Sequence, residues 1–137
     1  VADHQRKTVA NAFSNSFEEV FNCTMPKVNR SNAQHYRWGD VCDGWRLLDA
    51  QHLSVIEERM PPGSSEVEHV HRKATQLFYV LEGTLSLEID AEPVDLSVGD
   101  ACIVHPGQSH VARNESAAPA RFLVISAPAT RGDRHPI

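Results

Sequence analysis

From Gly63 to Gly83 the chain reads GSSEVEHVHRKATQLFYVLEG, and the pair His69 and His71 inside it constrains the fold more than any other feature. In an extended strand alternate side chains share a face, so two histidines separated by one residue point the same way and can grip one cation together. A strand suits this chelate better than any helix. Gln76 opens the next aliphatic run, LFYVLE, which ends at Gly83 and reads as a second strand, so its amide oxygen can reach a cation held by the pair. A further imidazole is expected from elsewhere in the chain, and His110 is the candidate.

The rest of the sequence supplies strands for such a site. Tyr36 and Trp38, then Trp45 to Leu48, read as short strands broken by turns at Gly39-Asp40 and Asp43-Gly44. His52 to Met60 is strand-like and is stopped by Pro61-Pro62-Gly63, because proline cannot continue a ladder and glycine accepts a tight turn. After Gly83, TLSLEID alternates, a short acidic turn covers Asp90 to Glu92, and PVDLSV follows. Gly99-Asp100 turns into ACIVH, Pro106-Gly107 turns into HVARN, and Ala120 to Ala127 forms a last strand before a Pro- and Arg-rich tail. About ten short strands with almost no helix predict a closed or sandwiched antiparallel barrel. Phe78 and Val80 share parity with Gln76 and are expected to face its interior, and Cys102, among aliphatic neighbours, reads as core rather than reactive.

Residues 1–31 read as an arm and 32–137 as the barrel domain. The arm is polar and Asn-rich, with a weakly helical patch from Ser16 to Phe21, and packs on the body or on a partner subunit.

At 137 residues the chain is one domain, long enough for a core of its own. Its net charge of −5, with basic residues scattered, argues against a nucleic-acid or anionic-membrane partner. No apolar run is long enough to cross a bilayer as a helix. Cys23, Cys42 and Cys102 are odd in number and unpaired in spacing, which suits three free thiols in a reducing compartment; without a secretion-signal pattern the cytoplasm is the expected location. Asn22-Cys23-Thr24 and Asn114-Glu115-Ser116 match the glycosylation pattern, and Arg131-Gly132-Asp133 an adhesion motif, but all three read as chance matches.

Two stretches together resemble the cupin superfamily. Its first motif, Gly, five residues, His-x-His, three or four residues, Glu, six residues, Gly, is met by Gly63, His69, His71, position 76 and Gly83. Its second, Gly, five residues, Pro-x-Gly, two residues, His, three residues, Asn, is met by Gly99, Gly107, His110 and Asn114. The resemblance implies a double-stranded antiparallel jelly roll and one divalent transition metal ion per chain, Zn, Ni, Fe or Mn, held by His69, His71, Gln76 and His110. Two residues depart from the pattern: Gln76 stands for the usual glutamate and His105 for the usual proline. Three imidazoles and an amide leave the ion its full charge, which should acidify bound water or hold an anionic oxygen more strongly. Similar glutamine-for-glutamate sites occur in members resembling polyketide cyclases and uronate-converting enzymes. Gln76 is either a direct ligand or a group that supports a histidine from behind.

One scaffold of this kind carries many chemistries. The leading expectation is an enzyme in which the metal acts as Lewis acid on a small oxygen-rich substrate, in an isomerase, lyase or cyclase reaction. The alternatives are a metal-dependent dioxygenase and a non-catalytic sugar- or metabolite-binding protein. His105 is either the catalytic acid or base at the site mouth or a solvated loop histidine. The core pocket is expected to open near the Pro106-Gly107 turn, and apolar residues in the early strands predict a homodimer.

Overall fold

The computed structural model describes residues 27–137. The helical patch at Ser16–Phe21, Cys23 and the Asn22 glycosylation match lie outside the described residues.

Eleven strands form the described fold: β1 (Gln34–Trp38), β2 (Cys42–Asp49), β3 (Ser54–Met60), β4 (His69–Val70), β5 (Thr75–Glu82), β6 (Leu85–Ile89), β7 (Glu92–Leu96), β8 (Ala101–Val104), β9 (His110–Arg113), β10 (Ala120–Ala127) and β11 (His135–Pro136). They make two antiparallel sheets, one ordered β1-β2-β3-β10-β5-β8 and the other β11-β4-β9-β6-β7. The architecture is the all-β jelly roll. No helix among the described residues is long and apolar enough to cross a membrane.

Period-two burial explains the sandwich. On β10, Ala120, Phe122, Val124 and Ser126 are buried while the residues between them are only partly covered, and β5 alternates in step through Gln76, Phe78 and Val80. These inward residues meet Leu85, Leu87 and Ala112 of the facing sheet, with Met60 and Val104 completing the core. Phe78 and Val80 thus face inward as expected. Cys102 packs at the edge of this core and burial pushes its thiol up, as it does for the buried Cys42.

Turn chemistry holds at most of the expected places. Asp90 and Ala91 both take positive φ in the hairpin between β6 and β7. Gly83 has φ of 74°, and a side chain there would meet the Pro119 carbonyl at 2.3 Å, so only glycine fits.

One expected turn is corrected. Asp43-Gly44 is no turn: both residues lie inside β2, paired with Arg37 and Tyr36. Gly44 is there because the Tyr36 ring lies across it; an added Cβ would sit 2.3 Å from Tyr36 Cζ. The Pro- and Arg-rich tail after Ala127 ends in β11, which pairs with β4. At the other end of the described chain, Arg30 pairs with Glu57 at 3.1 Å and stacks over Trp45, so the segment before β1 lies against the outer face of the six-stranded sheet.

Candidate metal centre

Strand pairing assembles the cluster. His69 on β4 sits directly opposite His110 on β9, and His71 follows one step beyond β4. All three rings are buried, and one nitrogen from each lies within 4.8 Å of the others. The Gln76 side chain, buried on the inner face of β5, reaches the same point from the opposite sheet.

Hydrogen bonds decide which nitrogens face inward. Nδ1 of His69 donates to the Val67 carbonyl at 2.8 Å, Nδ1 of His71 to the Asp133 carbonyl at 2.6 Å, and Nδ1 of His110 to the Gln108 carbonyl at 3.1 Å. A carbonyl only accepts, so each Nδ1 carries the proton and each neutral ring keeps a lone pair on Nε2. Burial holds all three below the ordinary imidazole range, His69 down to about 4, and the rings and Arg134 add mutual repulsion of positive charge. Three neutral donors with fixed tautomers are what a divalent transition metal requires.

Gln76 completes the fit. Its Nε2 donates to the buried Ser126 Oγ at 3.0 Å, which aims Oε1 at His110 Nε2, 3.1 Å away. With Nδ1 of His110 already donating, these two atoms both present lone pairs, and a shared cation satisfies such a pair. The residues present therefore suit a metal ion.

The cluster opens into a cavity of about 440 Å³ whose lining includes His69, His71 and Gln76, together with Tyr36, Glu58, Glu66 and Arg134. Glu58 lies on the inward face of β3, and Tyr36 Oη donates to its Oε1 at 3.4 Å. Burial, then the charge of Glu66, pushes Glu58 up to about 8. Burial likewise raises Glu66 to about 7, although its carboxylate accepts the Ala112 N–H at 2.8 Å. Arg134, carried in beside β11, brings Nη2 within 3.4 Å of His69 Nδ1.

His69, His71, Gln76 and His110 are thus brought together, whereas His105 is not. It is exposed in the turn after β8, does not line the cavity, and contributes its backbone N–H to Gln108 Oε1. The Pro106-Gly107 turn is no mouth either: Gly107 N–H donates to the His71 carbonyl at 2.7 Å, and the cavity runs instead toward β1, β2 and β3. The Arg131-Gly132-Asp133 match is structural, since Asp133 is 5% exposed and its carboxylate is consumed by the backbone. Sequence reasoning missed Glu58, Glu66, Tyr36 and Arg134. The one available signal was the charged residue at an inward position of β3, in VIEERM.

A two-sheet antiparallel jelly roll with a buried cluster of three histidines and a glutamine opening into an internal cavity defines a small barrel domain whose cluster could hold a metal ion. The chain belongs to the cupin family: the Cupin domain matches residues 56–126, just over half of its 137 residues. Over 69 residues it is 33% identical to the tetracenomycin polyketide synthase protein TcmJ of Streptomyces glaucescens, a match covering 50% of this chain and 46% of that one. Over 67 residues it is 30% identical to the oxalate-binding protein of Thermotoga maritima, covering 49% and 55%. The chain thus spans about half the length of these curated relatives. Among solved structures it resembles the polyketide cyclase RemF from Streptomyces resistomycificus, with a TM-score of 0.71 and 22% identity over 83% of this chain and 86% of that chain, a likeness of fold.

Proposed function

We propose that this cupin is a mononuclear metal enzyme in which His69, His71, His110 and Gln76 hold one divalent ion, Zn, Ni, Fe or Mn, and that its reaction is a non-redox isomerisation, lyase step or cyclisation of a small oxygen-rich substrate. The observation that carries this reading is the set of three Nδ1–H···O=C bonds, which leaves three Nε2 lone pairs aimed at one point beside Gln76 Oε1. When bound, the ion supplies Lewis acidity toward a carbonyl or hydroxyl oxygen, undiminished because the four donors are neutral. The chain's own part is to orient the substrate: Arg134 at the cavity offers a guanidinium to an anionic oxygen.

Cavity size favours a ring-sized substrate. About 440 Å³ is within the range of drug-sized ligands and exceeds what a two-carbon diacid needs. Polyketide-related proteins among the relatives support a cyclase in particular. A binding protein without catalysis is the second reading, favoured by the oxalate-binding relative. The enzyme is read as cytoplasmic, with a small-molecule partner and no nucleic acid or membrane partner.

The test is metal analysis by plasma mass spectrometry on protein purified without a metal-affinity tag. About one zinc or nickel per chain, lost in His71→Ala, is expected. Protein that retains no metal under any loading condition overturns the reading. Iron with consumption of dioxygen transfers it to the oxidative alternative.

A further inference from the structure

The register of the six-stranded sheet orders the cavity wall into three rows. Ser54, Ser126 and Gln76 pair across β3, β10 and β5, and this row holds the amide that faces the histidines. Two residues along, Ile56, Val124 and Phe78 pair, and all three line the cavity. Two residues further, Glu58 is opposite Phe122, and only Glu58 of that row lines the cavity. The four steps from Ser54 to Glu58 rise about 13 Å along the strand, less the reach of the two side chains at its ends. This wall therefore runs from the glutamine that faces the histidines, through an apolar row, to a carboxyl.

The carboxyl end is built. Gly44 gives up its side chain so that the Tyr36 ring can lie across β2, Arg46 stacks on that ring at 4.5 Å, and the tyrosine hydroxyl reaches Glu58. The charged and titratable groups facing Glu58 are Tyr36 from β1, Arg46 from β2, Glu66 from the loop before β4, and Arg134 from the tail. No cation among the described residues comes within ion-pair distance of the Glu58 carboxyl, and burial keeps its proton on near neutrality. A protonated carboxyl is a hydrogen-bond donor aimed into the cavity.

We propose that Glu58, positioned by Tyr36, is the specificity residue of a second recognition pole, and that the ligand is a flat, apolar-bodied molecule oxygenated at both ends, such as a polyoxygenated fused aromatic. One end bears an oxygen pair for the metal and the other a carbonyl or hydroxyl oxygen that accepts the Glu58 proton. This assignment rests on the metal reading above and adds the substrate class to it.

The test uses zinc-loaded protein and two probes. 5,8-Dihydroxy-1,4-naphthoquinone carries an oxygen pair at each end of a bicyclic ring, whereas 8-hydroxy-1-tetralone carries one pair only. Binding is followed by the visible or near-ultraviolet band shift of metal chelation. Wild type is expected to prefer the two-ended probe by about ten-fold, the worth of one buried hydrogen bond. Glu58→Leu should erase that preference while zinc content and affinity for the one-ended probe stay at wild-type levels. Glu58→Gln, which keeps a donor, should retain most of it. An unchanged preference in zinc-bound Glu58→Leu overturns the proposal, as does failure of zinc-bound wild type to bind the two-ended probe. Failure of wild type to bind zinc overturns the metal reading instead. Should Glu58→Leu not fold, Glu58→Gln matched to Tyr36→Phe decides: a preference absent from the glutamine variant and unaltered by the phenylalanine variant also overturns it.

Discussion

Asp133 holds His71 by its backbone and the loop after His71 by its side chain. Its carbonyl takes the His71 Nδ1 proton at 2.6 Å, and its carboxylate accepts the N–H groups of Arg72, Lys73 and Ala74 at 2.9 to 3.0 Å. Burial alone would raise this carboxyl, yet the three N–H donors outweigh it and the pKa lies below the usual value. Asp133→Ala leaves three N–H groups without their acceptor and frees the tail. It should cost about 3 kcal/mol of stability and weaken zinc retention, measured by urea unfolding and by metal content after chelator challenge. The sign with pH follows: a depressed folded pKa contributes stability that is present above the ordinary carboxyl value of 3.8 and is lost as pH falls through the folded value.

Gln76 offers a second test. If its Oε1 is a ligand, Gln76→Glu adds the missing anion, tightens retention against chelator and makes bound water less acidic, while Gln76→Ala opens a coordination position and loosens the ion. Retention should rank glutamate variant, wild type, alanine variant, with His71→Ala empty. Equal retention by the first three would reduce the ligand set to the histidines.

Acid should release the metal late. Protons compete for a ligand only where that ligand protonates, and burial lowers all three imidazoles from 6.5, His69 to about 4. The midpoint of zinc loss, read by dialysis and mass spectrometry across pH 4 to 7.5, is expected below about pH 6. A midpoint at or above the ordinary imidazole value would contradict the buried, neutral rings.

Glu58 acts in the opposite direction on stability. Its folded pKa is raised from 4.5 to about 8, so its contribution is fully present below pH 4.5 and is lost as pH rises through 8. Glu58→Gln, which cannot ionise, should gain stability over wild type at pH 9 by roughly 2 kcal/mol, the full shift being discounted because water enters the cavity beside the carboxyl. Thermal melts at pH 5 and pH 9 check this: the variant's advantage should grow with pH.

A homodimer is the expected assembly. The outer face of the six-stranded sheet pairs Leu77 with Ile103 and with Ile125, and Tyr79 with Leu123, and Ile103 is 51% exposed. A stable interface needs about 800 Å² per partner, and this face offers a contiguous apolar surface. Sedimentation at micromolar concentration should give a dimer that Ile103→Glu converts to monomer. A monomeric wild type would refute it.

Much of this protein is local and was legible as such. Period-two alternation marks β5, β6, β8 and β10 because one face of each meets the same core, and glycine or proline stands at several of the reversals. His69, His71 and Gln76 could be grouped because a strand converts spacing into a shared face. Their joining to His110 came through family resemblance, and the β4–β9 register then gave it a physical basis. What local pattern did not reveal has one cause. Asp43-Gly44 looks like a turn, but Gly44 answers to a tyrosine on the neighbouring strand rather than to its own backbone. The Pro- and Arg-rich tail carries no local signal for its role, because Asp133 reaches back about sixty residues to His71, a separation no local pattern records. His105 sits beside the metal motif in sequence yet outside the cavity in space. Glu58, distant in sequence, lines that cavity because β3 runs along it. The sequence by itself determined most of the strands and turns and the donor types of the candidate metal centre, which follow from backbone periodicity and side-chain chemistry. Only the tertiary structure decided which carboxyls share the cavity, which nitrogen each histidine offers, and what holds His71 in place, because each depends on contacts between segments that meet only after the two sheets have closed.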